Sequence, residues 1–479
     1  MPHVAMLEKA GIPTVVVDLE DQDSLVKNEA LAYGVPNIRF LHASRTIAGP
    51  VDVEAFIDPM VKELTRPLTD KEKETGRWEG PQQQRVLFEG TLEEAEAFYQ
   101  QVEKIPSLRN ALISIYGDGL PITVPTEERV QEMLTGTSHK PDELIVHLTD
   151  VPRNWGVTLK KGDPVEFMPM AWSATVEKVA INAVMAGCRP EHLPVVLAMA
   201  ASGGGTGDGR GGSGFCISGP IAKEIGMNYG IGMFGPGNLP SKTIGRAADL
   251  MWRNLGGSIP GVSSMVSNGN IVTNGGVCFA ENADDLPTGW KGLNEEYGFK
   301  KDESIVLATR VGPYVRTGNF PNGGYRALQK SGHGGMARRL GVKGQPGLHN
   351  WLEYILPGLW AASQGGFTFV LPVLMARDMQ AYGFESKDAV YDWLYEHSFE
   401  PLKEYMLRAG PDLTTNGWLG VEKTSGKHWR ELPEDYMVPL MDSPFENCII
   451  VAGGEEETPL ILSGRSADPN LAFSIDYWR

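Results

Sequence analysis

The sequence predicts an α/β protein: a Rossmann-like parallel-sheet domain over residues 1–160, then a larger α/β region over 161–479 with glycine-rich loops and a C-terminal strand. Three observations carry this. Short apolar runs rich in β-branched residues alternate with helical segments near the start, the pattern of parallel strands buried on both faces. Glycine, at 57 of 479 residues, is about 12% against a usual ~7%. Fourteen of those glycines fall between Ser202 and Asn238, which predicts loops rather than regular structure there. The length suits two or three domains at roughly 100–200 residues each.

The elements follow in order. Ala5 to Ala10 reads as helix, Gly11-Ile12-Pro13 as a turn, and Thr14 to Val17 as a β-branched strand ending at Asp18. A polar helix over about 24–33 precedes a second strand, Ile38 to Leu41. Residues 70–84 are polar and read as an exposed connection, and Thr91 to Lys104 as an acidic helix. Two more strands are predicted at Leu112 to Tyr116 and Glu143 to Leu148. The pattern breaks around Pro152 to Pro169, which places the domain boundary there.

Beyond that boundary, Val176, Val179, Ala180, Ala183, Val184 and Gly187 fall at i, i+3, i+4, i+7, i+8 and i+11, the stripe of an amphipathic helix. Ser173 is its expected N-cap, and Gly187 with Pro190 ends it, leaving Cys188 in the turn before a second helix to about Ala201. A third helix starts after Asn238, with Ile244, Ala247, Ala248, Met251 and Leu255 on one face. Cys448 to Val451 reads as a buried strand opening into Gly453-Gly454. The uncharged stretch Tyr354 to Ala376 is long enough to span a bilayer. Its Pro357, Gly365, Gly366 and Pro372 favour a buried helix, a turn and a buried strand.

Composition narrows the function. Lys+Arg 43 against Asp+Glu 60 gives a formal charge of −17. Such a surface repels phosphate backbones and anionic membranes, so neither nucleic acid nor membrane is an expected partner. The four cysteines, Cys188, Cys216, Cys278 and Cys448, form no CxxC pair and no disulfide framework. The N-terminal residues lack the features of a secretory signal, so a soluble, cytoplasmic protein is expected.

Four local features are candidates for chemistry, each with a purely structural alternative. Gly207-Asp208-Gly209-Arg210-Gly211-Gly212 matches GxGxxG, but a helix before it and an extended segment after it reverse the dinucleotide-binding context; a loop beside an active site is the better reading. Gly235-Pro236-Gly237-Asn238 precedes a helix carrying Ser241, Lys242 and Arg246, the electrostatic arrangement for a carboxylate or phosphate of the substrate. An ordinary capped helix with surface cations fits the same residues. Cys188, beside Arg189 and one turn from His192, is either an activated thiol or a packed one. His42, Ser44 and Arg45 follow the second strand and Asp18 ends the first, so they can converge where ligands of parallel sheets gather. A structural histidine is the alternative there.

The segments Gly11-Ile12-Pro13-Thr14-Val15-Val16-Val17, Thr175 through Glu191, Gly219-Pro220-Ile221-Ala222-Lys223-Glu224, Gly235-Pro236-Gly237-Asn238, Thr243-Ile244-Gly245-Arg246-Ala247 and Ile450-Val451-Ala452-Gly453-Gly454 together resemble the UGSC (seleno)protein family. The resemblance is specific over about 173–257, looser over 1–60 and barely visible over 290–440. It implies a selenocysteine or cysteine followed by Gly-Ser-Cys before the first strand, and this sequence has no such motif. Either the thiol chemistry is lost, or a small second subunit carrying a Cys-x-Ser-Cys segment supplies it; the second is the expectation.

The leading expectation is therefore the large subunit of a hetero-oligomeric enzyme acting on a small organic molecule by thiol-dependent redox chemistry. Cys188, His42 and Asp18 are its candidate catalytic residues; Arg45, Ser44, Asn238, Ser241, Lys242 and Arg246 are its candidate substrate-binding residues. No cofactor is specified by the sequence. The rival enzyme reading is a metal-assisted lyase or hydratase, with a transition metal held by thiolates of the partner segment. A non-catalytic scaffold subunit is the third.

Overall fold

In a computed structural model the described residues are 2–19, 23–43, 54–73, 85–105, 111–152, 158–168, 170–203, 212–259, 276–311, 341–345, 347–360, 366–409, 421–422, 424–455, 457–463 and 471–479. They form a mixed α/β structure with both parallel and antiparallel sheets. Two compact units are present, and both are discontinuous in sequence: Met1–Gly212 with Thr243–Gly276 and Trp478–Arg479, and Ser213–Lys242 with Val277–Tyr477. Residue 160 lies inside the first unit.

The first unit opens with α1 (Pro2–Lys9), β1 (Val16–Leu19), α2 (Asp23–Ala32) and β2 (Phe40–Ala43). β1 and β2 pair in parallel, Val16 opposite Phe40 and Asp18 opposite His42, with α2 as the crossover helix that parallel neighbours require. Next come α3 (Glu54–Thr65), which buries none of its residues, and α4 (Leu92–Tyr99). Thr91 and Glu94 form a capping box at the start of α4. The acidic helix stops at Tyr99 instead of reaching Lys104, because Val102–Ile105 forms β3, an antiparallel partner of β4 (Ala111–Ser114).

Next are α5 (Glu127–Leu134), the short pair β5 (Val151–Pro152) and β6 (Thr158–Leu159), α6 (Val176–Ala186) and α7 (Leu193–Ala201). The segment expected as a strand at 143–148 makes only isolated bridges, Leu144 to Thr175 and Val146 to Pro164. Pro164 has no N–H to extend a ladder. The stripe of α6 is buried as its spacing predicts, while α7 is apolar all round and buried throughout. The N-cap of α6 is Thr175, whose hydroxyl accepts from the Lys178 N–H, in place of Ser173. Gly187 closes the helix at φ 82°, a left-handed geometry that favours glycine.

The second unit begins with β7 (Gly212–Ser218), α8 (Ile221–Glu224) and the start of α9 (Leu239–Asn254), whose residues from Thr243 belong to the first unit. β8 (Cys278–Ala280), α10 (Leu293–Glu296) and β9 (Ile305–Val311) follow. The unit continues with β10 (Phe367–Leu371), β11 (Phe399–Pro401), β12 (Met437–Pro439), β13 (Cys448–Val451), β14 (Leu460–Ser463) and β15 (Ala472–Ser474). One sheet has the order β15-β9-β7-β8, with β7 and β8 parallel; another is β13-β10-β14, with β10 and β13 parallel. Asn282 just past β8 donates to Val451 at the end of β13, so the carboxyl ends of parallel strands from the two sheets meet.

The main core of this unit gathers Trp351, Tyr354, Phe369, Leu371, Met375, Tyr391, Leu394 and Ile449 from helices and strands between 351 and 451. Within the stretch tested for membrane length, a helix spans Trp351–Trp360, β10 follows, and Pro372 begins the helix Val373–Ala381. Among the described residues no helix is long and apolar enough to cross a membrane.

Candidate functional site

The parallel pair β1–β2 assembles the first group of side chains. Asp18 and His42 are register partners on neighbouring strands and so share one face of the sheet at its carboxyl end. Asp18 is buried, whereas the His42 ring is 42% exposed. Asp23, the first residue of α2, reaches the same place: its Oδ1 lies 3.2 Å from His42 Nδ1, and its Oδ2 lies 3.2 Å from Lys27 Nζ. Lys27 in turn sits over the Phe40 ring at 5.7 Å. The sequence singled out Asp18 and His42 but not Asp23 or Lys27. The available signal was the i, i+4 acid–base pair opening a helix directly after a strand. Ser44 and Arg45 lie outside the described residues.

The start of α9 is engaged within the chain. Asn238 is buried; its side-chain amide donates to the Asn228 and Met233 carbonyls at 2.8 and 2.9 Å and accepts from the Asn228 N–H. Ser241 donates to the Cys278 carbonyl and Lys242 to the Phe234 carbonyl. Arg246 already holds a carboxylate: Nε and Nη2 meet the two Asp118 oxygens at 2.7 and 2.9 Å, and Nη2 also donates to the Pro121 carbonyl. Burial alone would raise the Asp118 carboxyl, but the Arg246 hydrogen bonds outweigh it and hold the group below its usual range. The anion expected at Arg246 is thus met by an aspartate of the same unit.

Cys188 follows the Gly187 cap and is half-buried. Burial pushes its thiol up to about 12 despite a hydrogen bond from Thr243. That is the opposite of an activated thiol, which needs a lowered value. Its expected helpers face elsewhere. Arg189 is exposed beside Glu191, and His192 is buried with Nδ1 accepting from the Arg189 N–H at 3.2 Å. Cys216, Cys278 and Cys448 are buried, and burial drives Cys216 well above the ordinary thiol value. Residues Gly207 to Gly211 of the GxGxxG match are outside the described residues; a helix precedes the tract and β7 follows it.

The second unit holds a buried ionic cluster that the sequence reading missed. Lys387 Nζ lies 3.0 Å from Glu281 Oε1 and 2.7 Å from Glu296 Oε1, with all three side chains at most 9% exposed. Glu281 Oε2 accepts from the Ser218 hydroxyl and the Leu293 N–H, and Glu296 Oε2 accepts from the Tyr391 hydroxyl. Burial would lower the Lys387 ammonium, but the two carboxylates outweigh it and raise its affinity for the proton. Glu281 and Lys387 are 106 positions apart, so no local pattern announces the pair.

Among the described residues no three His, Cys, Asp or Glu side chains gather as a metal site. No protein-family model, no curated protein and no solved structure matches this chain.

Proposed function

We propose that this chain is the large, cytoplasmic subunit of a hetero-oligomeric enzyme acting on a small organic molecule. A small partner with a Cys-x-Ser-Cys segment supplies the thiols, as the UGSC resemblance implies. The observation that carries the reading is the placement of His42 and Asp18 side by side where two parallel strands end, the position at which ligands of such sheets bind. The β1-α2-β2 crossover is also what a Rossmann-like first domain requires, and it supports that reading of residues 1–160.

Two further features favour a partner. Among the described residues β1 pairs only with β2, and Val17 on it is exposed, so a second chain has an edge to cover. The Cys188 thiol, pushed up to about 12, is poorly suited to thiolate chemistry near neutral pH. Two partner thiols closing to a disulfide deliver two electrons and two protons to the substrate, with His42 moving those protons.

Co-expression with a short reading frame encoding a Cys-x-Ser-Cys segment tests the proposal. The two chains should copurify as one species through gel filtration, and the chain alone should be inactive or poorly soluble. An active homo-oligomer of this chain alone would overturn it. Stoichiometric transition metal in the purified complex would replace the redox reading with the metal-assisted lyase or hydratase.

A further inference from the structure

We infer that Asp23 is the positioning residue of the site, fixing the His42 ring so that Nε2 is the bare nitrogen that accepts a proton. The inference rests on the proposed role of His42 and adds the residue that sets its tautomer. Asp18, the acid suggested by the sequence, is the register neighbour of His42, but it is Asp23 whose Oδ1 stands 3.2 Å from Nδ1.

The physical argument begins with that oxygen. Asp23 Oδ1 is out of contact with water and accepts no hydrogen bond from the groups around it. Among the described residues, the group that stands against it is His42 Nδ1 at 3.2 Å, while Oδ2 is the oxygen facing Lys27. A buried acceptor left without a donor costs about 1–3 kcal/mol. The neutral ring therefore gains by carrying its proton on Nδ1, turned toward that oxygen. With Nδ1 protonated, Nε2 on the far side of the ring is a bare lone pair, and the ring is exposed enough to be reached. A carboxylate, an imidazole oriented through Nδ1 and a nucleophile at Nε2 make up the triad logic of acyl-transfer enzymes. Here two members lie in one chain, and the third, a thiol, comes from the partner. The step is a proton transfer: the partner's S–H bond breaks, its proton bonds to Nε2, and the resulting thiolate faces an imidazolium whose charge Asp23 offsets.

The test uses the full chain with nitrogen-15-labelled histidine, the His42 signal being identified by its loss in His42→Gln. At about pH 8.5, above the ordinary histidine range, the wild-type ring should show a protonated Nδ1 and a bare Nε2. Asp23→Asn, whose amide can donate to Nδ1, should exchange the two signatures. Lys27→Met, which removes a neighbour of Asp23 but not its Oδ1, should leave them in place. In the copurified complex, Asp23→Asn should slow alkylation of the partner thiols by iodoacetamide by about tenfold or more, since the wrong tautomer disables such a dyad. An unchanged nitrogen pattern in Asp23→Asn would overturn the inference and leave the partner proposal standing. Exchanged signatures in a chain that recruits no thiol-bearing partner would support Asp23 as the orienting residue and overturn the proposed function instead.

Discussion

A thiol is reactive through its thiolate, so the surroundings of Cys188 decide its part in the chemistry more than its neighbours in sequence do. Arg189 and His192 suggested activation, yet one points to solvent and the other gives Nδ1 to a backbone N–H. With burial holding the thiol well above its ordinary value, little of it is thiolate at neutral pH. Cys188 should therefore react with iodoacetamide far more slowly than free cysteine, and Cys188→Ser should keep the activity of the complex. The sign of the pH effect follows from linkage. A raised value stabilises the fold fully below the ordinary thiol range, and that contribution is lost as pH rises through it toward about 12. Denaturant midpoints should fall above about pH 9, and Cys188→Ser should flatten part of that fall. Rapid alkylation at pH 7 would show that the thiol is more open than its surroundings indicate. Cys188 is visible in the sequence because cysteine beside arginine is a local pattern; the hydrogen bond it receives from Thr243, 55 positions away, has no local signal.

At the scale of elements, hydrophobic spacing was informative and boundaries were less so. The stripe Ile244, Ala247, Ala248 and Met251 on α9, with Leu255 just past its end, is buried at every position, because a 3.6-residue period admits one apolar face. Residues 102–104 read as helix in the sequence but belong to β3, since the acidic run of α4 masks where a β-branched pair begins the antiparallel ladder. The polar face of α9 shows the limit most clearly. Lys242 and Arg246 one turn apart form a cationic pattern, but sequence cannot say which anion meets it, and Asp118 is 128 positions from Arg246. That pairing changes the outcome expected of substitution. Arg246→Met should lower the stability of the first unit by about 1–3 kcal/mol, because it strands a half-buried Asp118 carboxylate. Lys242→Met, which removes one bond from an exposed ammonium to the Phe234 carbonyl, should cost less than 1 kcal/mol. Denaturant melts of the two single variants separate these. Equal effects would mean that the Asp118 pair contributes no more than the exposed Lys242 bond.

For the whole molecule, the division at residue 160 followed a local break in pattern, whereas the compact units are interleaved. No local signal encodes that Thr243–Gly276 belongs with the N-terminal half. The cluster around Lys387 is of the same long-range kind. It joins the end of β7 through Ser218, the end of β8 through Glu281, α10 through Glu296, and the helix Lys387–Glu396 through Lys387 and Tyr391. Tyr391 also accepts from the Ile449 N–H on β13, so strands of both sheets are tied to one charged centre. Removing a single member of such a set leaves uncompensated charge out of water, at about 3–5 kcal/mol. Lys387→Met should therefore destabilise the second unit by that amount, with faster amide exchange in β8, α10 and the helix Lys387–Glu396. Glu281→Gln and Glu296→Gln added to Lys387→Met should recover much of the loss, because neutral amides keep hydrogen-bonding capacity without the buried like charges. Recovery would identify the cluster as a device of fold specificity. A triple variant as unstable as the single one would mean that the elements need the charged geometry itself.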